Sequence, residues 1–195
     1  MIKASRTGVA PQFRLTFPGA SIPELATRYA LEQSPEEREE EWRLVEQVGL
    51  TIRRDALLTK GQFLALCRWK SPRRIRLCNE NRADRIEESW RLVCSTSDEA
   101  LRIGVLMALD GVSWPTASVL LHFGHDDPYP ILDVRALETL GVRETNYTYD
   151  FWWSYVQNCR ALAGKVGVDM RTLDRALWQW SKERARERRR SRRAR

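Results

Sequence analysis

The sequence predicts an all-α protein on three observations. Apolar residues recur at three- and four-residue spacing along most of the chain, alternation of period two is scarce, and capping signals open several of the periodic stretches. Eight or nine helices are expected, without an internal repeat, packed as a two-lobed helical bundle. Up to about residue 20 there is little periodicity, and the Pro and Gly content of APQFRLTFPGASIP argues for an extended arm before a short helix at Ile22–Leu31. Ser34, Pro35 and Glu37 then combine an N-cap, a first-turn proline and a capping-box carboxylate. The helix they open is expected to reach about Val48 and stop at Gly49, with Trp42, Leu44, Val45 and Val48 on its inner stripe and an acidic outer face. Thr59 and Gln62 form a second capping box, ahead of Phe63, Leu64, Leu66 and Cys67, and Ser71-Pro72 ends that helix. Residues 82–95 carry Ile86, Trp90 and Val93 on one stripe, and Thr96 with Glu99 is read as the cap of a helix over Ala100–Leu109.

The segment Asp110–Pro115 is too short for anything but a tight turn, and an apolar helix resumes at Thr116–Phe123. Beyond the loop Gly124–Pro130, the pair Ile131-Leu132 leads to Asp133, to a short helix over Val134–Leu140 and to a stop at Gly141. Two longer helices follow, at about 149–165 with Phe151, Trp152, Tyr155, Val156 and Leu162, and at about 170–188 with Leu173, Leu177 and Trp180. The chain is thereby divided into an N-terminal arm and helices (1–58), a core (59–145), C-terminal helices packed on that core (146–181) and an Arg-rich tail (182–195).

Composition narrows the function. A chain of 195 residues with 43% hydrophobic residues buries a sizeable core. No window approaches eighteen apolar residues and the first residues lack the apolar stretch of a secretory signal, so a cytoplasmic protein without a membrane partner is expected. Residues 182–195 hold nine basic and two acidic residues, which accounts for the whole net charge of +7. Such a block suits phosphate backbones through counterion release, and equally suits a solvated helix end. Cys67, Cys78, Cys94 and Cys159 show no metal-binding spacing and read as free thiols, and the group His122, His125, Asp126 and Asp127 reads as a turn beside a core histidine, so no metal site is expected.

The run Leu109-Asp110-Gly111-Val112-Ser113-Trp114-Pro115-Thr116-Ala117 resembles the hairpin of the helix-hairpin-helix DNA glycosylase superfamily, usually L-P-G-[VI]-G-x-x-T-A, through Leu109, Gly111, Val112, Thr116 and Ala117. In that superfamily a catalytic Asp stands eighteen residues after the position held here by Pro115, and Asp133 stands there, at the start of a helix. The resemblance covers residues 59–141 and extends only loosely to the flanks. It implies a protein that grips double-stranded DNA, flips a damaged or modified base from the duplex and hydrolyses its glycosidic bond, with Asp133 stabilising the oxocarbenium ion and orienting water.

In such a hairpin, backbone N–H groups at the start of the second helix approach a phosphate, so Gly111, Val112, Ser113, Trp114 and Thr116 are the candidate backbone grip. The chain departs from the pattern in two places. Members that also cut the strand resemble one another in carrying Lys where this chain has Pro115, and proline forms no Schiff base, so a monofunctional glycosylase without lyase activity is expected. Ser113 replaces the second hairpin glycine, with a hydroxyl able to cap the following helix. The four-Cys cluster loop of endonuclease-III-like members is absent, and the resemblance implies no cofactor beyond a monovalent cation at the hairpin.

Leu66–Arg74 stands where superfamily members resemble one another in lining the base pocket or entering the duplex. Trp69 is the candidate wedge or base-stacking residue there, and Lys70, Arg73 and Arg74 are candidate phosphate contacts. Tyr129 is a candidate pocket wall, and Arg135, in the helix that Asp133 opens, a candidate DNA contact or surface ion pair. Trp152 and Trp153 read as core. Three readings follow: a monomeric glycosylase acting in repair or in defence against modified DNA, a non-catalytic DNA-binding module on the same fold, and an interaction protein whose hairpin is only a turn.

Overall fold

The computed structural model describes residues 12–143 and 146–193, and these are helical and irregular, with no strand among them. Residues 1–11 of the expected arm, residues 144 and 145, and the last two residues of the basic tail lie outside the described residues. What is described of the arm lies on the short helix after Asp133: Arg14 N donates to Leu140 O at 2.8 Å and Thr16 N to Thr139 O at 3.0 Å, with Phe17 buried beyond them. Helix α1 spans Ile22–Leu31 and α2 spans Pro35–Trp42, the latter opened by the Ser34–Glu37 capping box. Glu37 N donates to Ser34 Oγ at 3.2 Å and Ser34 N to a Glu37 carboxylate oxygen at 2.8 Å.

The chain does not stop at Gly49. It passes through a π-helical stretch, Arg43–Gly49, directly into α3, Leu50–Asp55. Gly49 serves close packing instead, since a Cβ there would lie 2.8 Å from the Phe123 carbonyl oxygen and 3.1 Å from that of Leu44. The inward face of α2 also differs from the expected one, because Arg171 and Arg175 draw Glu41 inward. Trp42, expected on the inner stripe, is 51% exposed, whereas Glu41 of the supposedly solvated acidic face is 3% exposed.

Helix α4 (Lys60–Lys70) begins at the Thr59–Gln62 capping box, in which Thr59 N donates to Gln62 Oε1 at 2.8 Å. A 3-10 turn, Pro72–Arg74, leads to α5 (Ile75–Glu80), then to α6 (Ala83–Ser95) and α7 (Glu99–Met107). Asp98, not Thr96, caps α7, accepting from Ala100 N at 2.8 Å and Leu101 N at 3.0 Å, because its carboxylate reaches two first-turn amides at once. Helix α8 runs Trp114–Gly124, starting two residues earlier than expected because Pro115 is pre-set for a first helical turn. Helices α9 (Val134–Thr139), α10 (Tyr149–Val166) and α11 (Met170–Arg193) complete the chain.

One continuous apolar core runs from Phe17 to Leu177, with Trp90, Tyr129, Trp152 and Tyr155 among its largest fully buried side chains. Helix α11 packs chiefly on α1 and α9. Its basic end is helical as far as Arg193 and is tied to α1 and its C-cap residue Glu32 by Arg28–Glu183 at 2.9 Å, Lys182–Glu32 at 2.9 Å and Arg186–Glu32 at 2.7 Å. No helix of the described residues is long and apolar enough to cross a membrane.

Candidate functional site

The position of Asp133 is built from the backbone that precedes it. Ile131 and Leu132 are buried, and two hydroxyls hold their peptide groups: Leu132 N donates to Ser118 Oγ of α8 at 2.8 Å, and Tyr155 of α10 donates to Ile131 O at 2.8 Å. The segment therefore enters α9 at a set angle. Asp133 is the N-cap of α9, its Oδ1 accepting from Arg135 N at 2.9 Å, and its Oδ2 takes the ammonium of Lys70, the last residue of α4, at 2.8 Å. Burial pushes this carboxyl upward, but the Lys70 charge and hydrogen bond and the Arg135 amide outweigh it, holding the group below the ordinary aspartate range. The cap is also a carboxylate kept ionised near a helix start.

Asp133 lies in the wall of a cavity of about 340 Å³, which falls in the range of small-molecule sites. Trp69 and Lys70 line the same cavity, so three of the expected site residues converge. Lys70 faces Asp133 with its side chain only 12% exposed, as an ion-pair partner instead of a free phosphate contact. Arg73 and Arg74 sit next along the chain, exposed on the 3-10 turn. Arg135 lays its guanidinium over Trp178, 5.0 Å from the ring centroid, in place of the expected surface ion pair.

Tyr129 is not a wall of this cavity. It is 1% exposed, its hydroxyl donates to Glu99 at 2.6 Å and accepts from Arg102 at 2.5 Å, and its ring stacks on Trp152 with centroids 6.1 Å apart. Tyr129 is a core residue because its one polar atom finds two charged partners inside the fold. Its carbonyl also engages half-buried His122 at 2.6 Å, and desolvation lowers the His122 pKa to about 3, which leaves a neutral imidazole. Among the described residues no group of three or more His, Cys, Asp or Glu could hold a metal ion.

Between α7 and α8 the chain turns through Ala108–Ser113. Gly111 adopts φ +80°, and a Cβ there would lie 2.6 Å from Cys78 Sγ and 2.7 Å from Cys78 N. Glycine is required by backbone conformation and by space together. Asn81, itself buried, clamps the turn from outside, donating to Asp110 O and accepting from Asp110 N, both at 2.9 Å. Val112 and Thr116 are buried, so their side chains face the core, and Trp114 packs on Trp152 with centroids 6.1 Å apart. The Ser113 hydroxyl does not cap α8, contrary to expectation, so the first-turn amides of α8 have no side-chain cap.

Most of the cavity comes from residues to which sequence reasoning assigned no role. Helix α11 contributes Arg171, Asp174, Trp178 and Lys182, α1 contributes Tyr29, the α1–α2 connection contributes Gln33, and α2 contributes Glu37 and Glu40. The α11 residues recur at spacings of three and four, a polar and aromatic stripe legible in the sequence had it been sought beside the apolar one. Arg171 is the hub. It donates to Glu41 at 3.2 Å and Asp174 at 2.6 Å, and its guanidinium lies over Trp69 at 5.6 Å and Tyr29 at 6.0 Å. Glu41 further accepts from Gln33 at 2.6 Å and Arg175 at 2.7 Å.

Burial raises the Glu41 pKa, but Arg171 and Arg175 overcome it, and the net shift is downward from the ordinary value of 4.5. A lowered carboxylate pKa contributes stability above the unfolded value that is lost as pH falls through the folded one. Glu41→Gln is therefore expected to melt about 5–10 °C below the native chain at pH 7, from about 2–3 kcal/mol of lost ion pairing. The gap is expected to narrow as pH falls below 4.5, which thermal melts at a series of acidic pH values would check.

Comparison of this chain with family models, with curated proteins and with solved structures finds no match. The functional reading therefore rests on the residues and their geometry.

Proposed function

We propose that the chain is a monofunctional DNA N-glycosylase of the helix-hairpin-helix kind, acting on a base rotated out of duplex DNA. The observation that carries the reading is an ionised Asp133 in the wall of a cavity of about 340 Å³, flanked by Trp69 and Trp178. As the C1′–N bond breaks, positive charge develops on the sugar, and a fixed carboxylate beside it is worth most where water is excluded. Two observations support the DNA grip: the first-turn amides of α8 have no side-chain cap after the tight α7–α8 turn, and the expected phosphate contacts Arg73 and Arg74 are exposed. Pro115 on α8 and the pairing of Lys70 with Asp133 both favour hydrolysis over strand cleavage by a lysine amine.

The test is base release from duplexes each carrying one damaged or modified base, followed by alkali. Breaks that appear only after alkali are expected. Breaks without alkali would contradict the monofunctional assignment, and silence with measurable binding would favour a second reading. That second reading, a non-catalytic DNA-binding module, is favoured by one observation: both oxygens of Asp133 are already engaged, one by the α9 cap and one by Lys70.

The end of α11 bears on DNA affinity in either case. Removing residues 188–195 deletes six Arg while sparing the ion pairs of Lys182, Glu183 and Arg186 with α1. If this end lies along phosphates, the slope of log affinity against log salt is expected to fall in magnitude by up to about 5, measured by fluorescence anisotropy from 50 to 200 mM salt. An unchanged slope would make the tail a bystander.

A further inference from the structure

The cavity holds a second carboxylate, in an environment opposite to that of Asp133. Asp174 of α11 is 9% exposed and lines the same cavity, and Arg171 engages only its Oδ2, at 2.6 Å. The groups that act on it come from every side: Tyr29 of α1, Glu41 of α2, Lys70 of α4, Asp133 ahead of α9, Tyr155 and Cys159 of α10, and Arg171 of its own helix. Two of these are competing carboxylates, and the one close cation is shared with Glu41. Asp133, by contrast, takes hydrogen bonds directly from the Lys70 ammonium and from a helix-start amide.

The second observation concerns the aromatic walls. Trp69 and Tyr29 are faced by the Arg171 guanidinium, and Trp178 by Arg135 and by the Lys182 ammonium, the last at 5.0 Å from the ring centroid. Cation–π positions on these rings are thus filled by the protein's own charges. A positively charged base entering this cavity would find those ring faces already taken by Arg171, Arg135 and Lys182. A neutral base needs no such face, but it leaves poorly unless a ring atom is protonated as the bond to the sugar breaks.

Building on the glycosylase reading, we propose that Asp174 is the general acid for that departure, donating its proton to the leaving base, and that the substrate is a neutral base. The step balances. The C1′–N bond breaks with its electron pair going to the base nitrogen, the Asp174 carboxyl proton passes to a ring atom of the base, and Asp133 faces the cationic sugar. Water then adds to C1′ and loses a proton to Asp133, and exchange with solvent restores both carboxyls, so that nucleotide and water give free base and abasic sugar. Burial first, then Asp133 and Glu41, raise the Asp174 pKa against the pull of Arg171 and Lys70, to about 6. Separation of two carboxyls by environment, one proton-bearing and one ionised, is the arrangement that acid-assisted glycosidic cleavage needs.

Single-turnover base release from duplexes bearing hypoxanthine, adenine opposite a mismatch, or N7-methylguanine tests this across pH 5–8. With native protein, release of a neutral base is expected to fall about tenfold per pH unit above about 6 and to exceed release of the cationic N7-methylguanine relative to their uncatalysed rates. Asp174→Asn is expected to lose at least about 100-fold on the neutral base and to abolish the falling limb, whereas Asp174→Glu, which keeps an acid beside Arg171, restores the limb. Carbon-13 carboxyl titration of the native chain, independent of turnover, is expected to show one aspartate titrating near 6 that disappears in Asp174→Asn. Native-like rates or an unchanged pH limb in Asp174→Asn, or an Asp174 ionised throughout, overturns the acid assignment while base release upholds the glycosylase reading. A preference for N7-methylguanine overturns the neutral-substrate assignment. No release from any duplex removes both.

Discussion

Asp133→Asn is expected to reduce base release by at least about 100-fold while DNA affinity stays within a few-fold of native. The asparagine keeps a side-chain oxygen to accept from Arg135 N, so the α9 cap survives, and the backbone before it remains held by Ser118 and Tyr155. What disappears is the negative charge in the cavity wall. The change also strands the Lys70 ammonium, whose side chain is 12% exposed, so a fall in melting temperature of several degrees is expected from an unpaired, half-buried cation. The double variant with Lys70→Met separates the two effects: it is expected to recover much of the melting temperature and none of the activity. Loss of DNA binding in parallel with activity in both variants would reassign Asp133 to a purely structural cap.

The second large effect is expected at the α7–α8 turn, where Gly111→Ala should cost about 3–4 kcal/mol. Strain at φ +80° contributes about 1–3 kcal/mol, and a Cβ set 2.6 Å from Cys78 Sγ and 2.7 Å from Cys78 N adds an overpacking cost of about 1–3 kcal/mol. For a chain of this length that is a fall of roughly 10 °C in melting temperature. Cys78→Ala in the same chain removes the sulfur but not the backbone nitrogen, so partial recovery is expected. A Gly111→Ala chain within about 1 kcal/mol of native by urea denaturation would show that the turn relaxes freely, and would weaken the case that its geometry is built to present the start of α8.

Residues 34–37 and 59–62 announced two helix starts correctly because capping is local chemistry, settled within four residues. Asp133 was legible for the same reason, as the last polar residue before a short apolar helix. Gly49 misled because glycine at a helix end and glycine under a crossing helix look alike in one dimension. The difference is the Phe123 carbonyl, seventy-four residues away. Tyr129 misled because nearness to Asp133 in sequence says nothing about which side of an extended segment a ring occupies, and Glu99 and Arg102 draw its hydroxyl away from the cavity.

Helical class, the starts of α2 and α4 and the tight turn before α8 were thus determined by the sequence itself, through periodicity, caps and one glycine whose backbone only a turn explains. The cavity was decided by tertiary structure. Lys70 meets Asp133 across sixty-three residues, and Arg171 joins Glu41 of α2 to Asp174 of α11, because α1, α2, α4 and α11 converge on the start of α9. Charge pairing of that kind depends on distance through space and on burial, and the order of residues along the chain encodes neither directly.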